Sequence, residues 1–178
     1  MKTALLFVIS FFCLSTPAWA EDPAIAQIRQ EYQAIRNSLP TFKVESAEAP
    51  EPSSEGGEVK AYRDSTGNIR MIRMELYFES GKEIEEYYYQ NNLLIFALSE
   101  EHRYNVPMNI SPETAKEIGQ SFDPKKTKVL ANRYYFRNGK MLRWLDPDKK
   151  EMNKAGKDFQ DAAGSVLHSS TKLRSQFR

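Results

Sequence analysis

Thiols, imidazoles and carboxylates carry most nucleophilic, metal and acid–base chemistry, and this chain supplies them unevenly. Its one cysteine is Cys13, in an apolar N-terminal run, and its two histidines are His102 and His168. Glu100-Glu101-His102 offers a glutamate and a histidine to a metal. A helical zinc motif, however, needs ligands at i and i+4 on one face, and neither histidine has such a partner. No metal site and no cofactor is therefore expected. No G-x-S-x-G elbow accompanies the serines, and Glu55-Gly56-Gly57-Glu58 is a glycine pair flanked by acids, which repel phosphate. The remaining chemistry is a group of carboxylates, Glu75, Glu83, Glu85 and Glu86. Paired carboxylates serve glycoside hydrolysis, but Arg70, Arg73 and Lys82 are interleaved as cross-strand partners.

A second constellation suits recognition better than catalysis. Tyr77, Tyr87, Tyr89, Arg133, Tyr135 and Arg143 fall at alternating positions of successive strand-like runs. If the strands pair as neighbours, these six side chains are expected to share one sheet face. Rings beside guanidinium groups offer flat apolar area with polar handles, which fits a sugar, a peptide or another protein. The competing expectation is that the two terminal helices cover these rings.

The elements that must position these groups lie mostly between Glu58 and Leu145, where short aromatic and β-branched runs are broken by turn residues. Residues 87–98 (Tyr-Tyr-Tyr-Gln-Asn-Asn-Leu-Leu-Ile-Phe-Ala-Leu) align without gaps on residues 134–145 (Tyr-Tyr-Phe-Arg-Asn-Gly-Lys-Met-Leu-Arg-Trp-Leu). Each copy reads as aromatic strand, two-residue turn, apolar strand. Asn138-Gly139 is the strong hairpin signal, because a type I′ turn needs positive φ at both central residues, and Asn91-Asn92 is a weaker version. Strands are expected at 41–48, 59–64, 69–79, 82–89, 93–99, 129–136 and 140–145. In the third, Ile72, Met74, Leu76 and Phe78 form an apolar face. The fifth is apolar on both faces and so belongs at the centre of the sheet. Ser80-Gly81 reads as a turn, and Glu100 to Lys128 as an interruption with a short helix starting at Ser111-Pro112.

Helices flank the sheet. Asp22-Pro23 reads as an N-cap followed by proline at the first helical position, and Ile25, Ile28, Tyr32, Ile35 and Leu39 recur on one helical face up to Pro40. Residues 154–177 read as a C-terminal helix with Phe159, Ala163, Val166, Leu167, Ser170, Leu173 and Phe177 on one side. Ahead of these, residues 1–20 have the form of a secretory signal: Lys2, an apolar run from Ala4 to Leu14, and Ala18-Trp19-Ala20 as a cleavage site. The run is too short for a stop-transfer helix. Removing it takes away the only cysteine and brings the formal charge from +1 to neutral. Neutrality argues against nucleic acid, which selects a cationic surplus. Stability then rests on burial without disulfides, which about 150 residues in one domain can supply.

Tyr77-Phe78-Glu79-Ser80-Gly81-Lys82 and Tyr135-Phe136-Arg137-Asn138-Gly139-Lys140 share an aromatic-turn-glycine spacing. Over residues 62–145 this resembles the hairpin repeats of bacterial envelope proteins in the broad YD- and MORN-like class. The chain departs from that class in having few units and a long interruption at 100–128. The resemblance implies a binding or structural sheet and carries no catalytic residue. The expectation is thus an α+β fold, an antiparallel meander sheet of five to seven strands with N-terminal and C-terminal helices, in one domain over residues 21–178. Functionally it is expected to be a periplasmic or secreted binding or structural protein of the bacterial envelope, without a membrane span. Its partner would be an envelope protein, peptide or glycan. The alternative is a cell-wall glycan hydrolase using the strand carboxylates near Glu85.

Overall fold

Seven strands lie in the sheet in the order in which they occur in the chain, each antiparallel to the next. The structure, a computed structural model, describes residues 22–50 and 53–177. The signal-like segment with Lys2, Cys13 and its cleavage site lies outside the described residues, as do Glu21, Glu51, Pro52 and Arg178.

Helix α1 (Pro23–Ser38) starts where Asp22 accepts the Ala24 amide at 2.8 Å, and a 3-10 turn at Leu39–Thr41 ends it at Pro40. The strands are β1 (Lys43–Glu48), β2 (Gly57–Arg63), β3 (Ile69–Phe78), β4 (Gly81–Gln90), β5 (Leu93–Arg103), β6 (Lys128–Arg137) and β7 (Lys140–Leu145). Between β5 and β6 lies the short helix α2 (Pro112–Ile118), capped by Ser111, and the chain closes with α3 (Lys157–Ser175). The architecture is therefore α+β, a complete meander with helices at both ends.

Turn chemistry sets the order. Asn91, Asn92, Asn138 and Gly139 all take positive φ, between 50° and 73°, so both two-residue hairpins have the backbone of type I′ turns. At Asp64–Asn68 the carboxylate accepts the Thr66 and Asn68 amides, both at 3.0 Å, and Gly67 supplies the positive φ. The first strand starts at Lys43, after the 3-10 turn, and the C-terminal helix is shorter at both ends than the 154–177 expected; two further differences lie within the sheet. The β3–β4 turn falls on Glu79-Ser80 and Gly81 is already paired with Arg103; a Cβ on Gly81 would stand 2.2 Å from the His102 carbonyl oxygen. That glycine is required by close strand approach, not by the turn. β5 also runs four residues past Ser99, because Glu100 to Arg103 pair with Ala131 to Lys128, with His102 hydrogen-bonded to Glu100 and Arg103 ion-paired with Glu101.

Each sheet face carries its own core. On one, α3 and the turn that follows it bring Leu173 and Phe177 onto Val59, Ile72, Met74, Leu76, Tyr87, Tyr89, Tyr134 and Phe136. On the other, α1 brings Ile25, Ile28 and Ile35 onto Met71, Tyr88, Ile95, Phe96 and Tyr135. The apolar stripes of both helices are thus spent on the sheet, and β5 is covered on both sides. Among the described residues no helix is long and apolar enough to cross a membrane.

Candidate functional site

The six residues expected on one face divide between two. Tyr87 and Tyr89 belong to the α3 core, 3% and 1% exposed, while Tyr135 belongs to the α1 core. Arg143 lies directly across from Tyr135 in the β6–β7 register, and Arg133 is two residues from Tyr135 on the same strand, so both share its face. Tyr77 projects on the α1 side as well, two residues past Glu75 and hydrogen-bonded to it at 2.7 Å. Four of the six therefore share a face and two lie under α3. The reason is alternation: Tyr87 and Tyr89 flank Tyr88, and it is Tyr88, fully buried, that lies on the α1 side with Tyr135.

Beneath α3 the tyrosines are enclosed. The Tyr89 hydroxyl lies 2.9 Å from Ser170 Oγ, Arg174 of α3 caps its ring at 5.5 Å, and the Tyr87 hydroxyl donates to Glu85. Burial raises the phenol pKa of Tyr89 and of Tyr134 to about 12, the nearby Glu85 adding to the effect at Tyr134. Burial, then the adjacent carboxylates Glu85 and Glu86, push Tyr87 and Tyr88 higher still. A free phenol ionises near pH 10. Folded pKa values above the unfolded value mean that this contribution to stability is intact below about pH 10 and is lost as pH rises towards about 12. A spectrophotometric titration at alkaline pH, followed in parallel by circular dichroism, is expected to show these four phenols ionising only as the fold is lost. Ionisation of all nine tyrosines near pH 10 with the fold intact would contradict their burial.

On the α1 face the rings form a row across three strands. Tyr32 of α1 meets Tyr88 and Phe96 edge-on at 4.8 and 5.2 Å, and Phe96 meets Tyr135 at 5.0 Å. Such edge and tilted contacts match the positive rim of one ring to the negative face of the next. The row is flanked by guanidinium groups: Arg29 of α1 lies 5.9 Å over the Tyr135 ring, and Arg133 donates to the Ala131 carbonyl at 3.0 Å. Between α1 and strands β5 and β6 this leaves a groove of about 380 Å³, whose lining includes Arg29, Tyr32, Gln33, Glu100, Arg133 and Tyr135. Glu100 faces His102, its Oε2 3.1 Å from Nε2.

Arg29, Gln33 and Phe96 were not singled out by sequence reasoning, and Tyr32 and Glu100 were placed only on the helical stripe and beside His102, although a signal for their grouping exists. Arg29, Tyr32 and Gln33 are spaced three and four apart along the edge of the α1 apolar stripe, and Phe96 is the register partner of Tyr135.

The four carboxylates considered for hydrolysis are also divided. Glu86 is buried on the α1 face among Arg36, Arg73 and the Tyr88 hydroxyl, and Glu75 accepts from Arg73 and Tyr77 with Lys82 at 3.8 Å. Burial works to raise the Glu75 pKa, but the Tyr77 hydroxyl and Arg73 outweigh it and hold that carboxyl below its ordinary value. Glu85 turns to the α3 side, hydrogen-bonded to Tyr87, and Glu83 is exposed. Among the described residues no group of three or more metal-binding side chains converges. The chain matches no family model, no curated protein and no solved structure.

Proposed function

We propose that this chain is a small binding protein of the bacterial envelope, acting in the periplasm or outside the cell, and that its ligand seats in the groove between α1 and strands β5 and β6. The observation that carries the reading is the convergence there of Tyr32 and Tyr135 with Arg29 and Arg133 around about 380 Å³ of open space. That volume is in the range of small-molecule sites, which typically pair apolar walls with a few placed polar groups. The signal-like N-terminal segment supports the envelope location. The disposition of the carboxylates favours binding over glycan hydrolysis: Glu75 and Glu86 are engaged by arginines, and Glu85 lies on the other side of the sheet.

The test is a titration of isotopically labelled protein with peptidoglycan fragments, read by amide shifts. Perturbations are expected at residues 28–33, 96–100 and 133–135. Gln33→Trp fills the groove from the exposed side of α1 and is expected to weaken binding at least about tenfold, roughly 1.4 kcal/mol, with an unchanged circular dichroism spectrum. Shifts confined to other surfaces, or full affinity in the variant, would move the site elsewhere.

A further inference from the structure

We infer that the opposite flank of α1 carries a second binding surface, a trough along the hairpin tips that takes a neutral, linear glycan. This surface is separate from the groove and does not depend on it.

The helix divides the two. Arg29 and Gln33 stand on the groove side of the apolar stripe, whereas Ala24, Gln27 and Glu31, spaced three and four apart, follow the other flank. Along that flank lie two cavities of about 530 and 230 Å³, which share Gln90 and Asn91 as a common wall. The first reaches the β2–β3 turn at Asn68, and the second reaches the β6–β7 turn at Asn138. Those two turns are four strand spacings apart in the sheet, so the trough extends over about 19 Å. That is the reach of a short oligosaccharide, more than one sugar fills.

Its lining sets the chemistry. The three turns present Asn68, Asn91 and Asn138, and Gln27 and Gln90 join them. Positive φ accounts for the residue type at Asn91 and Asn138, but glycine would serve the backbone equally, and no turn requires Gln27 or Gln90. Among the described residues the side chains of Gln27, Gln90, Asn91 and Asn138 have no hydrogen-bond partner. A carboxamide sets two donors beside an acceptor, the counterpart of hydroxyl and acetamido groups, which also donate and accept. Charge is balanced: Arg70 pairs with Glu31 and Asp64, and Arg137 offsets the second acid. Leu93 and Ile95 supply an apolar patch for the C–H face of a sugar ring. A peptide strand would seek a free sheet edge, and β2 to β6, which meet here, are each paired on both sides.

Calorimetry and amide shifts on the full chain test this, with chitotetraose, its monomer N-acetylglucosamine, and N-acetyl-tetraalanine amide as a neutral peptide of similar length. Chitotetraose is expected to bind at least about tenfold tighter than either control, to perturb residues 24–31, 64–70, 90–93 and 137–138, and to keep its affinity within about twofold as salt is raised. Asn91→Gly combined with Asn138→Gly keeps both turns and removes two carboxamides, and should weaken binding about fivefold or more. Gln27→Ala, on the exposed flank of a helix that favours alanine, should weaken it in the same direction with an unchanged circular dichroism spectrum. Gln33→Trp, on the other flank, should leave it unchanged. No binding of chitotetraose, equal binding of the peptide, or full affinity in both carboxamide variants overturns the inference. Loss of chitotetraose binding in Gln33→Trp alone places the glycan in the groove and refutes the trough.

Discussion

Phe136→Ala is expected to destabilise the fold by about 3–5 kcal/mol, the range for deleting a buried aromatic side chain. Phe136 is 0% exposed and sits in the α3 core beside Met141 and Trp144 of the following strand. Two costs combine there: the transfer of a large apolar surface back to water, and a cavity that the flanking β6–β7 hairpin cannot close without shifting its register. At roughly 2–4 °C per kcal/mol for a domain of this size, the midpoint of thermal unfolding should fall by about 6–20 °C. Phe136→Leu keeps most of the volume and should cost less than about 1.5 kcal/mol. Urea unfolding of both variants decides the matter. A loss under about 1 kcal/mol for the alanine variant would mean that this side chain is not enclosed as described.

The second large effect belongs to Glu86, a carboxylate 3% exposed that accepts from Tyr88 and pairs with Arg36 and Arg73. Removing one partner of a buried ionic group typically costs about 3–5 kcal/mol. Here Arg36 and Arg73 keep 41% and 27% of their side-chain surface in solvent and rehydrate in part, so Glu86→Leu is expected near 3 kcal/mol, at the low end of that range. Much of the loss is the Tyr88 hydroxyl, which is left buried without its acceptor, a penalty of about 1–3 kcal/mol. Adding Tyr88→Phe to Glu86→Leu should therefore recover part of the stability, with a coupling of at least about 0.5 kcal/mol in the double-mutant cycle. Strict additivity of the two substitutions would show that the tyrosine and the carboxylate do not depend on each other.

The strands and their order were legible because the hairpins carry local instructions. Asn138-Gly139 and Asn91-Asn92 specify turns that few other pairs tolerate, and Ile72, Met74 and Leu76 alternate cleanly enough to fix which side of β3 is buried. The site was only half legible, and the near-repeat explains where the reading departed. Aligned without gaps, Tyr87 corresponds to Tyr134, Tyr88 to Tyr135 and Tyr89 to Phe136. In the structure each pair shares a core: the first and third lie under α3, the second under α1. Even the register shifts coincide, falling between Tyr88 and Tyr89 in one hairpin and between Tyr135 and Phe136 in the other. Followed strictly, the repeat separates Tyr87 and Tyr89 from Tyr135; parity counted from strand to strand does not carry that information, because a bulge resets it. For Arg29, Tyr32 and Gln33 the helical spacing gives only the edge of the α1 stripe. Their place in the groove depends also on where a helix distant in sequence docks, which that spacing does not encode.

The meander also separates what is made early from what completes it. Each strand finds its sheet neighbour in the adjacent stretch of chain, so pairing needs little loop closure and can advance as the polypeptide lengthens. α1 is the exception. Its apolar stripe of Ile25, Ile28 and Ile35 packs against residues as late as Phe96 and Tyr135, so it leaves the ribosome about a hundred residues before its seat exists. Until β6 joins β5 that stripe can cover only part of its native surface, the part made by Met71, Tyr88, Ile95 and Phe96. The helix that walls the groove is thus among the first elements synthesised and among the last to dock, which keeps the chain's N-terminal region unpacked through most of its emergence.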